Sequence, residues 1–142
     1  MPYVRFSVPF CAGKARPRVT RKGHVYDGAA NRAREREIAV AYGQACLERL
    51  GEVRGAMDGE DVGVSIVAHK ALPRSRPARV ESEPFTCKPD LDNIAKLVMD
   101  ALNGIAWADD AQVTSLSVSK ADRLRDVGDY TSVSLIWGGD PE

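Results

Sequence analysis

Residues 88–113 read KPDLDNIAKLVMDALNGIAWADDAQV, and they contain the most informative pattern of the chain. From Asp90 to about Asn103 the apolar residues recur at helical spacing, which predicts a helix with one apolar face wide enough to pack on a sheet. Asp90 can cap the exposed N–H groups of the first turn. Gly104 follows the helix as a stop signal, so the pattern has a beginning, a buried face and an end.

The rest of the chain alternates between strand and helix patterns. The predicted elements are a strand at Tyr3–Pro9, a hairpin or ordered loop at 14–26, a helix at about Asn31–Leu50 that ends before Gly51, and strands at Val62–Ala68, Gln112–Lys120 and Tyr130–Trp137. The predicted apolar face of the first helix consists of Ala33, Ile38, Ala41, Cys46, Leu47 and Leu50. Residues 72–89 hold four prolines and several arginines and predict a long exposed loop.

This order of elements predicts a single domain over residues 1–142. The expected fold class is α/β or α+β, a small mixed sheet of about four strands with two main helices packed on it. A chain of 142 residues, 44% hydrophobic and 28% charged, has the composition of an ordinary globular protein.

Composition also predicts the compartment. The sequence holds no membrane-spanning apolar run and no signal-peptide core. Three widely spaced cysteines, Cys11, Cys46 and Cys87, form no C-x-x-C pair, which favours a reducing cytosol and a cytoplasmic protein. The same spacing disfavours a zinc site made from these cysteines with His24 and His69.

The formal net charge is zero, which by itself argues against nucleic acid, but the basic residues are clustered. Residues 1–26 and 70–80 contain no acid, and a local basic surface is what a phosphate senses. The residues predicted to contact nucleic acid are Lys14, Arg16, Arg18, Arg21, Lys22, Arg74, Arg76 and Arg79. The alternative is that these segments are solvated loops without a partner.

The acids around the predicted second helix carry the chemistry. Asp90 and Asp92 stand at its start, Lys96 lies one turn further, and Asp109 and Asp110 precede the next strand. If that strand runs beside the helix, the two acidic pairs can converge, and converging carboxylates need a cation or a proton. Mg²⁺ prefers such oxygen ligands. Each acid also has an ordinary structural interpretation. Asp90 can be a helix cap, Asp92 can form a surface ion pair with Lys96, and Asp109-Asp110 can be part of a turn.

The combined pattern resembles the signature of the RusA family of Holliday-junction resolvases, small endonucleases common in phages and prophages. The resemblance rests on Asp90-Leu91-Asp92-Asn93 with Lys96, on Asp100-Ala101-Leu102-Asn103-Gly104, and on Asp109-Asp110-x-Gln112-Val113. It covers roughly residues 88–113. The remainder is similar more loosely, in length, element order and the basic segment Lys14-Ala15-Arg16-Pro17-Arg18.

The resemblance implies a function and roles for individual residues. Asp90, Asp92 and Asp110 match the metal-binding aspartates, Lys96 matches the active-site lysine, and Asp109 is a neighbouring acid that can join the metal site. The implied enzyme is a homodimer that cuts four-way DNA junctions in recombination and repair, with Mg²⁺, or Mn²⁺ as a substitute, and no small-molecule cofactor. The alternatives are a related nuclease acting on other branched or duplex DNA, and a nucleic-acid-binding protein without activity.

Overall fold

The structure, a computed structural model, describes residues 2–15, 18–19, 23, 25–26 and 28–138. The strands are β1 (Tyr3–Val8), β2 (Arg18–Val19), β3 (Val25–Tyr26), β4 (Val62–His69), β5 (Ser82–Glu83), β6 (Val113–Lys120), β7 (Arg123–Leu124) and β8 (Tyr130–Trp137). The helices are α1 (Ala29–Leu50) and α2 (Leu91–Leu102), and a short 3-10 helix covers Asp110–Gln112. Within these residues no helix is both long and apolar enough to span a membrane.

Four strands form the central sheet in the order β1-β8-β4-β6. β8 pairs antiparallel with both β1 and β4, whereas β4 and β6 are parallel. Parallel neighbours need a crossover connection, and α2 lies in the connection from β4 to β6. The predicted fold class, a mixed four-stranded sheet with two main helices, is confirmed. The backbone pairing of β2 with β3 also confirms the hairpin predicted within residues 14–26.

Both helices contribute to one hydrophobic core on one face of the sheet. Side chains alternate along β8, so that Val133, Leu135 and Trp137 are buried and the residues between them are partly exposed. β1 alternates in the same way and β4 nearly so. Leu97 and Val98 of α2 lie in the same core, which is the packing that the apolar spacing of this helix predicts.

The buried face of α1 differs from the predicted one. Leu47 is 54% exposed, and the buried residues are Asn31, Ile38, Tyr42 and Cys46. Two of these have polar groups that an apolar pattern does not count. The Tyr42 hydroxyl donates to a backbone carbonyl, and the Asn31 amide both accepts from and donates to the backbone of Ala15. Burial of such groups is tolerated because each has a hydrogen-bond partner.

The prediction of a long exposed loop over residues 72–89 is wrong in part. β5 pairs antiparallel with β7, and Leu72 and Phe85 are buried. The reason is a set of long-range hydrogen bonds. The Arg125 guanidinium donates to the carbonyl oxygen of Val80, with Nη2 at 2.7 Å, and to carbonyls on the preceding turn. Irregular backbone can be held in this way when a side chain from elsewhere satisfies it.

His69 ends β4 and is completely buried. Its Nδ1 lies 2.9 Å from the carbonyl oxygen of Gly128, and its Nε2 lies 3.1 Å from the backbone nitrogen of Leu124. Nε2 accepts from the Leu124 N–H, and Nδ1 is then the nitrogen that donates to the carbonyl of Gly128. The ring also stacks on Tyr130, with centroids 5.1 Å apart. His69 therefore fastens β7 and the turn before β8 to the end of β4.

Replacing His69 with alanine is expected to lower the free energy of unfolding by about 2–4 kcal/mol, because two hydrogen-bonding groups lose their partner and a cavity is left. Urea unfolding followed by circular dichroism measures the change. Ser119→Ala, at an exposed position of β6, is the control and should stay within about 0.5 kcal/mol of the parent. A loss no greater than that of the control would contradict the fastening role.

Candidate active site

Asp90 is the N-cap residue of α2, but its side chain does not cap the helix by a hydrogen bond. Its Oδ2 instead lies 3.0 Å from the ammonium of Lys88, two residues earlier. The two side chains are 52% and 83% exposed, so this ion pair contributes little to stability. The carboxylate of Asp90 is therefore open to solvent and to a ligand at the start of the helix.

Asp92 and Lys96 lie on the exposed side of the first two turns of α2. An oxygen of Asp92 accepts from the backbone nitrogen of Asn93 at 3.0 Å. Among the residues that the structure describes, neither side chain has an ion-pair partner, so they do not form the helix-stabilising surface pair considered from the sequence. They border a groove between α2 and β6 whose other lining residues are apolar, namely Leu91, Ala95, Met99, Leu116 and Val118.

The N-terminal segment crosses the start of α2 at close range. A Cβ atom on Gly13 would lie 2.8 Å from the Cβ of Asn93 and 3.0 Å from that of Pro89. Only glycine allows this approach without displacement of the backbone. The next residue, Lys14, donates its backbone N–H to the carbonyl oxygen of Asn93 at 2.9 Å. The first turn of α2 is thereby held in place from outside the helix.

The Lys14 side chain is only 10% exposed and makes ion pairs with Glu35 of α1 and Asp100 of α2, the latter at 3.0 Å. Burial lowers the pKa of Lys14, but hydrogen bonds to the two carboxylates outweigh it and the net pKa is raised. Lys14 was predicted to contact nucleic acid. Here its ammonium joins the two helices, and a phosphate would have to compete with both carboxylates.

The second acidic pair lies in and before the short 3-10 helix. Asp110 accepts a hydrogen bond from the indole Nε1 of Trp107 at 2.8 Å, and Trp107 is 1% exposed. Asp109 caps the 3-10 helix in a capping box with Gln112. The alternative that Asp109 and Asp110 form part of a turn is confirmed, and the Asp109 carboxylate has a structural role in it. Sequence reasoning missed Trp107 and Gln112 as positioning residues, although Asp-x-x-Gln is a capping-box spacing that could have revealed the second.

Within one chain the two acidic pairs lie at opposite ends of α2. The twelve residues of this helix span about 18 Å at 1.5 Å per residue. Asp110 is bound to Trp107, whose backbone carbonyl accepts from Gly104 directly after the helix. β6 does run beside α2, as expected, but its later residues rather than its first ones come next to Asp92 and Lys96.

The described residues of a single chain therefore do not complete the expected metal site. Across residues 2–15, 18–19, 23, 25–26 and 28–138 there is no group of three or more His, Cys, Asp or Glu side chains that could hold a metal ion. The prediction that the acidic pairs share a cation is not met within one chain. The assignment of the individual residues stays a prediction.

The other predicted nucleic-acid contacts divide into three groups. Arg16, Arg21 and Lys22 lie outside the described residues, and of Arg18 only the backbone is described, in β2. Arg74 and Arg79 are exposed. Arg76 is bound by two hydrogen bonds to Glu83, at 2.8 and 3.2 Å, and this contact raises the pKa of Arg76 and lowers that of Glu83.

Two comparisons relate the chain to known proteins. Residues 9–128 match the model of the family described as Endodeoxyribonuclease RusA. The chain is also 31% identical over 128 residues to a Bacillus subtilis (strain 168) protein named Uncharacterized protein YqaN, and the match covers 84% of this chain and 88% of that protein. The family match spans both helices, both acidic pairs and Lys96.

Replacing Lys14 with methionine is expected to lower the free energy of unfolding by about 1–3 kcal/mol, because Glu35 and Asp100 would lose the cation that they share at a partly exposed site. Guanidinium unfolding measures this, with the exposed Arg36→Gln on α1 as the charge-matched control. The slope of DNA affinity against salt should stay unchanged. Normal stability combined with a shallower slope would instead show that Lys14 binds phosphate.

Proposed function

Because the chain belongs to the RusA family of endodeoxyribonucleases, we propose that it resolves Holliday junctions by paired, symmetric cuts with Mg²⁺ as its cofactor. Family membership makes the chain a hydrolase that cuts DNA. The observation that carries the finer proposal is the exposed start of α2. There Asp92 and Lys96 have no ion-pair partner among the described residues and Asp90 has only a weak surface pair. Exposed charged groups without a strong ion-pair partner are available to bind a charged ligand.

The proposed roles follow from the chemistry of each side chain. Asp90, Asp92 and Asp110 are assigned to the divalent cation, which when bound would neutralise charge on the phosphate and supply an activated water. Mn²⁺ has the same preference for oxygen ligands and is an expected substitute. Lys96 would place its ammonium against the negative charge that develops on the phosphate during hydrolysis. The capping contacts of Asp109 support a role in holding Asp110 in position.

A second copy of the chain would bring the separated acids together. In one chain the acidic pairs lie beyond opposite ends of α2, and no described group of three such side chains could hold a metal ion. The proposal therefore assigns the shared cation to Asp110 from one copy and to Asp90 with Asp92 from the other. The groove beside Asp92 favours such a contact. Leu91 and Leu116 in it are 44% and 47% exposed, and burial of apolar side chains drives association. A two-fold symmetric dimer also matches a junction that is cut at two symmetric positions.

The wild-type chain is expected to make paired nicks at symmetry-related positions of a labelled four-way junction, and only in the presence of Mg²⁺ or Mn²⁺. Asp90→Asn and Asp92→Asn should each lower the cleavage rate by on the order of 100-fold or more and still bind the junction, because phosphate contacts are made elsewhere. Gel analysis of junction, flap, fork and duplex DNA with each protein provides the measurement.

The same panel separates the alternatives. Faster cleavage of flaps, forks or plain duplex than of the junction would favour a nuclease of the same family with another substrate. Binding without metal-dependent cleavage of any DNA would favour a nucleic-acid-binding protein without activity. Near wild-type cleavage by both asparagine variants would remove Asp90 and Asp92 from the active site.

Mixing two inactive variants tests the two-chain arrangement. If the site combines two copies, exchange of subunits between Asp92→Asn and Asp110→Asn proteins gives mixed dimers with one intact site. Nicking should then recover to about a quarter of the wild-type number of sites, as single rather than paired cuts. A mixture of Asp90→Asn with Asp92→Asn, whose changes lie in the same half of the site, is the control and should stay inactive. An equally inactive first mixture would place the site within one chain.

A further inference from the structure

Two lysines lie at the same edge of the central sheet. β4 and β6 are parallel neighbours, and the register pairs Ala68 of β4 with Lys120, the last residue of β6. Lys70 follows Ala68 by two residues. Because parallel strands end at the same edge, Lys70 and Lys120 come together there, at the carboxyl ends where open α/β sheets bind their ligands.

Both ammonium groups point at the segment that leads into α2. The Lys120 Nζ donates to the carbonyl oxygen of Cys87 at 2.8 Å, and the Lys70 Nζ to the carbonyl oxygen of Lys88 at 3.4 Å. These carbonyls belong to consecutive residues. Lys88 is two residues from Asp90, at most about 7 Å of extended chain. The two lysines therefore lie directly beside the start of α2, where the proposed active site begins.

Lys120 makes a second contact, with an aromatic ring. Its ammonium lies 4.3 Å from the centroid of the buried Phe85 ring, a cation–π contact that restricts the side chain. Both Lys70 and Lys120 are partly buried rather than fully exposed. Their stems are therefore ordered, and ordering a lysine in advance lowers the entropy that it loses on binding a ligand.

Two nearby carboxylates make polar contacts with other groups. Asp90 pairs with Lys88, and Asp129 accepts from the backbone nitrogen of Ala71 at 2.8 Å. In the described part of the chain neither Lys70 nor Lys120 forms an ion pair, and only backbone carbonyls accept from them. An ammonium has three donors, so each lysine keeps donors for an anion.

The nearby Cys11 thiol supports the shared location. Burial raises the pKa of this thiol, the Asp129 carboxylate raises it further, and the ammonium groups of both lysines act in the opposite direction. One sulfur atom therefore lies in the field of Lys70 and of Lys120 together. Two ammonium groups beside one carboxylate leave an excess of positive charge there, which an anion, and a phosphate in particular, would stabilise.

We infer that Lys70 and Lys120 form a binding site for a backbone phosphate of the DNA, next to the phosphate that is cut. This site rests on the proposed function, because it takes the start of α2 as the place of cleavage. It is separate from the acids and from Lys96, and it would contact a phosphate whatever the base sequence. By holding this phosphate, the site would fix the position of the DNA strand relative to Asp90 and Asp92.

The test compares salt dependence between variants that remove or keep the two positive charges. Lys70→Gln/Lys120→Gln keeps a side-chain N–H donor for each carbonyl but removes both charges. Binding of a fluorescent four-way junction is measured without divalent metal between roughly 50 and 300 mM salt, and the slope of log affinity against log salt should fall by about 1–2. Affinity at the middle of that range should fall by about 10-fold. Arg36→Gln on α1 is the single-charge control and should leave the slope unchanged.

Two further measurements keep the outcomes apart. Lys70→Arg/Lys120→Arg keeps both charges and is expected to restore a slope close to that of the wild type. Thermal unfolding of each variant shows whether the fold is intact. If the wild type binds and cuts the junction but the glutamine pair leaves the slope unchanged, or if the arginine pair fails to restore it, this inference is overturned and the proposed function stands. If the wild type binds no DNA, both fall together.

Discussion

The packing of α2 against the sheet determines where every other side chain of that helix points. Ile94, Leu97 and Val98 are at most 1% exposed, and burying side chains of this size stabilises the fold by about 1.5–3 kcal/mol each. The buried face fixes the rotation of the helix about its axis. Asp92 and Lys96, which lie off that face, must then point into the groove beside β6. A core contact thus sets the direction of the groups proposed for catalysis.

The same crossover also divides the acids between two edges of the sheet. α2 starts near the carboxyl ends of β4 and β6, so Asp90 lies close to Lys70 and Lys120. Asp110 precedes β6 and lies at the opposite edge, bound to Trp107. A helix cannot shorten to bring the pairs together, since its length is set by its hydrogen bonds. In the proposed function the missing contact must therefore come from a second molecule rather than from a movement of the first.

Much of this organisation could be predicted from the sequence. Regular apolar spacing correctly predicted both helices and the four strands of the central sheet, because side chains facing a core repeat with the period of the element. Tertiary contacts decided the rest. The order in residues 72–89 depends on Arg125, far along the chain, and burial of Asn31 depends on the backbone of Ala15. The motif identified candidate acids by residue type and by their spacing along the sequence. The distance in space between the two acidic pairs depends on the direction in which β6 runs along α2, and the sequence spacing does not contain that information.

The charge pattern explains why net charge is a poor guide to this protein's ligand. Twenty basic and twenty acidic residues cancel in the total, yet a phosphate responds to charges within about a Debye length, roughly 10 Å in moderate salt. Lys14 shows that position, not type, decides the task of a cation, since Glu35 and Asp100 already neutralise it. Lys70 and Lys120 differ from Lys14, because their ammonium groups donate to backbone carbonyl oxygens rather than to carboxylates. A lysine that is paired with carboxylates is thus assigned a structural role, and ligand binding is proposed only for lysines without such a pair.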